Sequence, residues 1–144
     1  MINLFLNDII NNNKERGEQN NVINKLDKMR KNNELKIKAT FETLNEGVLA
    51  LSYGKNDLNN IILKVDPENW AKASVVKRWY TLYHELGHDV LDFDHGQGGK
   101  MMFNFADYEY DWNKFNEDRN YMFDTFLNNK NAITKIKVSK QKRQ

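Results

Sequence analysis

The chain has 144 residues, no cysteine, one proline and a formal net charge of +2, with 40% hydrophobic and 12% aromatic residues. That length suits one domain with its own core and is short for two. The missing cysteines exclude disulfides and thiolate–metal sites, so any metal has to be held by His, Asp or Glu, and no apolar run reaches the roughly 18 residues that span a bilayer.

The first ten residues, MINLFLNDII, lack the basic start and small-residue cleavage site of a secretion signal, which points to use in a reducing cytoplasm. Within them Ile2, Leu4, Phe5, Leu6, Ile9 and Ile10 have the spacing of a short amphipathic helix, which the Asn run at 11–13 is expected to break. Val22, Ile23, Leu26 and Met29 predict a second helix over 21–31, making residues 1–33 an N-terminal helical segment. From Leu35 the period changes to two: Leu35, Ile37, Ala39 and Phe41 alternate with Lys36, Lys38 and Thr40, as in a half-buried strand. Residues 47–53 and 60–65 predict two further strands, separated by the turn-rich GKND of 54–57.

Asp66-Pro67-Glu68 is a helix start: Asp66 can cap free N–H groups, Pro67 fits the first helical position, and Glu68 suits the positive end of the dipole. The helix is predicted to run to about residue 93. Its buried stripe is Val76, Trp79, Tyr80, Tyr83, Leu86, Gly87 and Val90. Gly96, Gly98 and Gly99 end it, and a short segment follows at 100–105. A helix near 111–128 should bury Trp112, Phe115 and Phe126, with Tyr121 and Met122 between, and a strand-like piece covers 133–138. The whole predicts an α+β fold, a small mixed sheet packed on a long helix, with a C-terminal helix. After Asp124 no acid follows, only Lys130, Lys135, Lys137, Lys140, Lys142 and Arg143. A basic tail over 130–144 can touch nucleic acid or an acidic protein surface, but no nucleic-acid motif accompanies it, and it reads as a solvated end.

All three histidines fall in one window, His84-Glu85-Leu86-Gly87-His88-Asp89-Val90-Leu91-Asp92-Phe93-Asp94-His95. His84 and His88 lie four apart on a helix, so both imidazoles leave one face about a turn apart and can reach one Zn²⁺ at roughly 2.0–2.1 Å. Glu85 points toward the remaining coordination space, where it can take a proton from bound water. His95 is the expected third ligand, swung back by the glycine turn. Asp94 is the alternative, with Glu109 or Glu117 if the third ligand comes from later in the chain. Tyr108 or Tyr110 could donate to a developing oxyanion, although packing roles suit both. Asp107, Glu109 and Asp111 would make the cleft rim acidic.

HELGH at 84–88, followed by His95 and then Met101-Met102, resembles the zincin superfamily and its metzincin-like branch of HExxH metallopeptidases. The resemblance implies zinc ligands His84, His88 and His95, general base Glu85, Met101 or Met102 as an apolar floor under the metal, and residues 34–129 as a zincin-like domain hydrolysing peptide bonds in a peptide or protein substrate. The metzincin pattern puts glycine three after the second histidine and the third ligand three further on. Here those positions are Leu91 and Asp94, with His95 one residue later. That shift resembles small bacterial metallopeptidases reading HELGHxxLxxxH. Residues 83–107 are also similar to zincin-like proteins of tailed phages of gut bacteria, the crAss-like group. This second likeness implies a virion neck or tail component, working through protein partners or a homo-oligomer, and possessing the fold with or without turnover.

Overall fold

A computed structural model describes residues 2–15, 21–54, 57–103 and 110–128. Two helices open the chain, α1 (Ile2–Glu15) and α2 (Asn21–Lys31). The Asn run at 11–13 does not break α1, which continues to Glu15; an Asn lowers helix propensity by a fraction of a kcal/mol, roughly 0.7 at most. Phe5, Leu6, Ile9 and Ile10 of α1 and Ile23, Leu26 and Met29 of α2 are buried and belong to the same apolar cluster as the rest of the described chain.

Three strands follow, β1 (Ile37–Phe41), β2 (Ala50–Tyr53) and β3 (Ile61–Val65), in the spatial order β1-β3-β2. β1 runs parallel to β3, from Ile37 opposite Ile61 to Phe41 opposite Val65, whereas β2 is antiparallel to β3. The fold is therefore α+β with a small mixed sheet. Ile61, Leu63 and Val65 are buried on the helix side, and β2 takes the main helical contact. β1 is not half-buried as its alternation predicts. Ala39 is exposed and Phe41 is 77% exposed, because the helix layer sits over β2 and leaves the far edge of the sheet overhanging.

Asp66 caps α3 (Pro67–Lys72) as expected: one oxygen accepts from the Glu68 and Asn69 amides at 3.0 Å each, the other from Leu44 at 2.8 Å. The single long helix predicted from this start is two. Ala73 is extended, and Ser74 caps a second helix, α4 (Val75–Asp89), by accepting from the Lys77 amide at 3.3 Å. Ser in this role satisfies a free N–H as well as Asp does, so the break costs little. α4 buries Val76, Tyr80, Tyr83, Leu86 and Gly87.

A 3-10 turn (Gly99–Met102) and α5 (Trp112–Asn128) complete the layer. α5 buries Phe115, Met122, Phe123, Phe126 and Leu127. Trp112 and Tyr121, expected inside, are exposed; Tyr121 precedes Met122 by one residue, about 100° around the helix from the buried stripe. No described helix is long and apolar enough to cross a membrane. The strand-like piece at 133–138 and the basic tail lie outside the described residues.

Candidate metal centre

Two histidines of the cluster leave α4 one turn apart, and the backbone around them sets which nitrogen each presents. His84 Nδ1 lies 2.8 Å from the Met101 carbonyl, and His88 Nδ1 lies 2.7 Å from the Phe93 carbonyl. A carbonyl only accepts, so both Nδ1 atoms carry the proton and both Nε2 atoms present lone pairs. Those two Nε2 atoms are 3.2 Å apart. Nitrogens on one tetrahedral ion at about 2.0–2.1 Å stand about 3.3 Å from each other, so the pair already has the spacing of a shared cation.

His95 closes the group from the turn beyond α4. Its ring centroid is 5.3 Å from that of His84, nearly parallel, and 4.7 Å from that of His88. One ligand atom from each of the three lies within 4.8 Å of the others. Burial falls from His84 (buried) through His88 to His95 (exposed), so the cluster has a protein side and an open side. Three imidazoles, two of them with tautomers fixed by carbonyls, could together hold a metal ion by donor chemistry. Asp94 and Glu117 are not part of this group, and Glu109 lies outside the described residues.

Beyond α4, Asp92 takes the left-handed conformation (φ 61°) and the Phe93 amide donates to the Gly87 carbonyl at 3.0 Å, turning the chain back ahead of His95.

Below the ligands the 3-10 turn presses on α4. Met101 and Met102 are fully buried, and a Cβ at Gly87 would sit 2.5 Å from Met102 Sδ and 3.2 Å from Met122 Sδ. Glycine between the two histidines is thus what lets the methionine turn approach closely enough for the Met101 carbonyl to hold His84. The Tyr80 hydroxyl lies 3.1 Å from the Lys100 carbonyl and 3.0 Å from that of Phe103, tying the same turn to α4, while its ring stacks on His84 at 5.9 Å.

A cavity of about 440 Å³ opens on this group, walled by residues 47–51 and by α4, with His84, Glu85 and His95 among its lining. Burial pushes the His84 imidazole down to about 4, against the opposing pull of the Met101 carbonyl, with the neighbouring histidines adding to the fall. Its neutral, ligating form is thereby favoured. Burial pushes the Glu85 carboxyl up to about 7; hydrogen bonds from Ser52 oppose this and the charge of Asp89 adds to it. The site therefore brings together three imidazoles and one carboxyl whose proton affinity suits acid–base exchange near neutrality.

Tyr110 is one aromatic layer away. Its ring meets Tyr80 edge-on at 5.0 Å and its hydroxyl donates to Asp118 at 2.9 Å; burial raises its pKa, and the bond to Asp118 adds to the rise. Tyr108 lies outside the described residues, as do Asp107 and Glu109 of the expected acidic rim. Asp111 instead caps α5, accepting from the Lys114 amide at 2.8 Å, and Lys77 stands on the helical wall of the cavity with Glu85. Sequence reasoning missed Ser52, whose hydroxyl and amide both reach Glu85. The signal was its place two after Ala50 on a strand face pointing at the helix.

No protein-family model, curated protein or solved structure matches the chain.

Proposed function

We propose that this protein is a zincin-like, zinc-dependent metallopeptidase, with His84, His88 and His95 as ligands and Glu85 as general base. The observation that carries this reading is the pair of carbonyl-fixed histidines with Nε2 atoms 3.2 Å apart, beside a buried glutamate that lines the same cavity. Zinc, when bound, supplies a Lewis acid for a peptide carbonyl and acidifies a water to a pKa of about 7. Glu85 takes a proton from the attacking water and returns it to the leaving amine, a role that suits a carboxyl pushed up to about 7. His84 and His88 keep their Nε2 lone pairs aimed because the Met101 and Phe93 carbonyls hold the opposite edge of each ring. The cavity wall at residues 47–51 leads into β2, an edge strand to which an extended peptide can add.

The test is peptide cleavage by zinc-loaded protein and by Glu85→Gln. The variant should keep its metal and lose at least about 100-fold in kcat; unchanged cleavage removes Glu85 from the reaction.

A second reading, a structural component of a phage particle, draws on Phe41, 77% exposed on the uncovered inner face of β1 at a sheet edge. Such a surface suits burial against another chain. Mass in solution and recovery of the chain in purified virions test it; a monomer at all concentrations that is absent from virions rejects it.

A further inference from the structure

In an antiparallel edge strand, successive residues turn their amides alternately toward the neighbour and away from it. The Leu49 carbonyl, on the β3 side, accepts from the Asp66 amide at 3.0 Å, and the Ser52 amide points the other way, off the free edge of β2. It ends on Glu85: Ser52 N lies 3.2 Å from Glu85 Oε2, and Ser52 Oγ lies 2.8 Å from the same oxygen. The hydroxyl is also 3.2 Å from the Glu85 main-chain carbonyl, so as its single proton goes to the nearer carboxylate it still sits against the backbone of α4.

We propose that Ser52 is a positioning residue for Glu85, gripping one carboxylate oxygen with two donors so that the other alone is presented to the cavity beside His84 and His95. This rests on the hydrolytic reading above. The physical reason is that a glutamate side chain has three rotatable bonds, and a general base acts only from within hydrogen-bond reach of the proton it takes. α4 fixes the Glu85 Cα but leaves a flexible side chain whose carboxylate must be held from outside the helix. The sheet does so through one residue, and it uses a backbone amide that an added peptide strand would otherwise engage. The position at Ser52 is therefore held by the base and closed to an incoming strand. This sets how far along β2 a substrate backbone can pair before it reaches the catalytic carboxylate.

The experiment compares wild type, Ser52→Ala and Ser52→Thr as full-length, zinc-loaded protein on one fluorogenic peptide, with zinc content measured on each. Ser52→Ala should lose about 10–100-fold in kcat with KM within about twofold and zinc content unchanged, as for groups that orient a site without touching substrate. Ser52→Thr, which restores the hydroxyl in a residue that strands favour, should recover most of the loss. Equal kcat in all three, or a loss that Thr does not recover, overturns the proposal. A second readout needs no turnover: exchange of the Ser52 amide hydrogen, slow in wild type, should quicken at least about tenfold in Glu85→Ala. Unchanged exchange overturns the grip. Zinc-loaded wild type that cleaves no peptide refutes the hydrolytic reading instead, and amide exchange then decides on its own whether Ser52 holds Glu85.

Discussion

Replacing Glu85 by Gln in metal-free protein should make the fold more stable, and increasingly so as pH rises. The folded chain holds this carboxyl at about 7 against 4.5 for the free group, with burial as the main cause. The neutral form is the one the interior accepts. Its contribution to stability is fully present below pH 4.5 and is lost as pH rises through about 7. A difference of about 2.5 pH units at 1.36 kcal/mol each amounts to about 3 kcal/mol. Gln is nearly isosteric and keeps an oxygen for both Ser52 donors, so it removes the charge and little else. Urea unfolding with a chelator present should find the two proteins within about 1 kcal/mol at pH 4 and the variant ahead by about 3 kcal/mol at pH 8. Saturating zinc should shrink that gap, since a nearby cation favours the ionised carboxylate. Parallel stability curves across this range would refute the claim that Glu85 is buried against the sheet with a raised proton affinity.

Three further outcomes follow from the geometry. Gly87→Ala places a methyl 2.5 Å from Met102 Sδ and should cost about 1–3 kcal/mol by overpacking, with weaker metal binding as the Met101 carbonyl is pushed off His84; denaturant unfolding and metal titration check both. At Asp92, φ 61°, Gly should be tolerated to within about 1 kcal/mol, whereas Val should cost about 1–2 kcal/mol or more and shift His95; thermal unfolding of the two variants that shows no difference contradicts the left-handed turn. Adding zinc at about 1,000 times its Kd should raise unfolding free energy by about 4 kcal/mol, and chelation should reverse this. No shift in the denaturation midpoint would mean that the histidines bind no ion in the folded state.

The parts legible in the sequence are those set by short spacing. Two histidines four apart with glutamate between them declare a shared helical face, and Asp66-Pro67 declares a cap, because both depend on neighbours within one turn. Strand alternation found the three strands and could not find their order. Whether Phe41 is covered depends on where α4 lies, a long-range matter that its own residues do not encode. The break at Ser74 was hidden because a serine cap reads as an ordinary helix residue. The left-handed Asp92 was hidden for a related reason: Asp tolerates that conformation, but only glycine advertises it. Ser52 touches Glu85 across 33 residues of chain, a separation that no periodicity reports.

The claim beneath all of this is that His84, His88 and His95 share one divalent ion. Metal content of the purified chain, set beside the single variants His84→Ala, His88→Ala and His95→Ala, addresses it without reference to turnover. One zinc per wild-type chain, lost or weakened at least about 100-fold in each variant, is the predicted result. A wild-type chain that takes up no zinc, or a His95→Ala variant that binds it as tightly as wild type, would contradict the account.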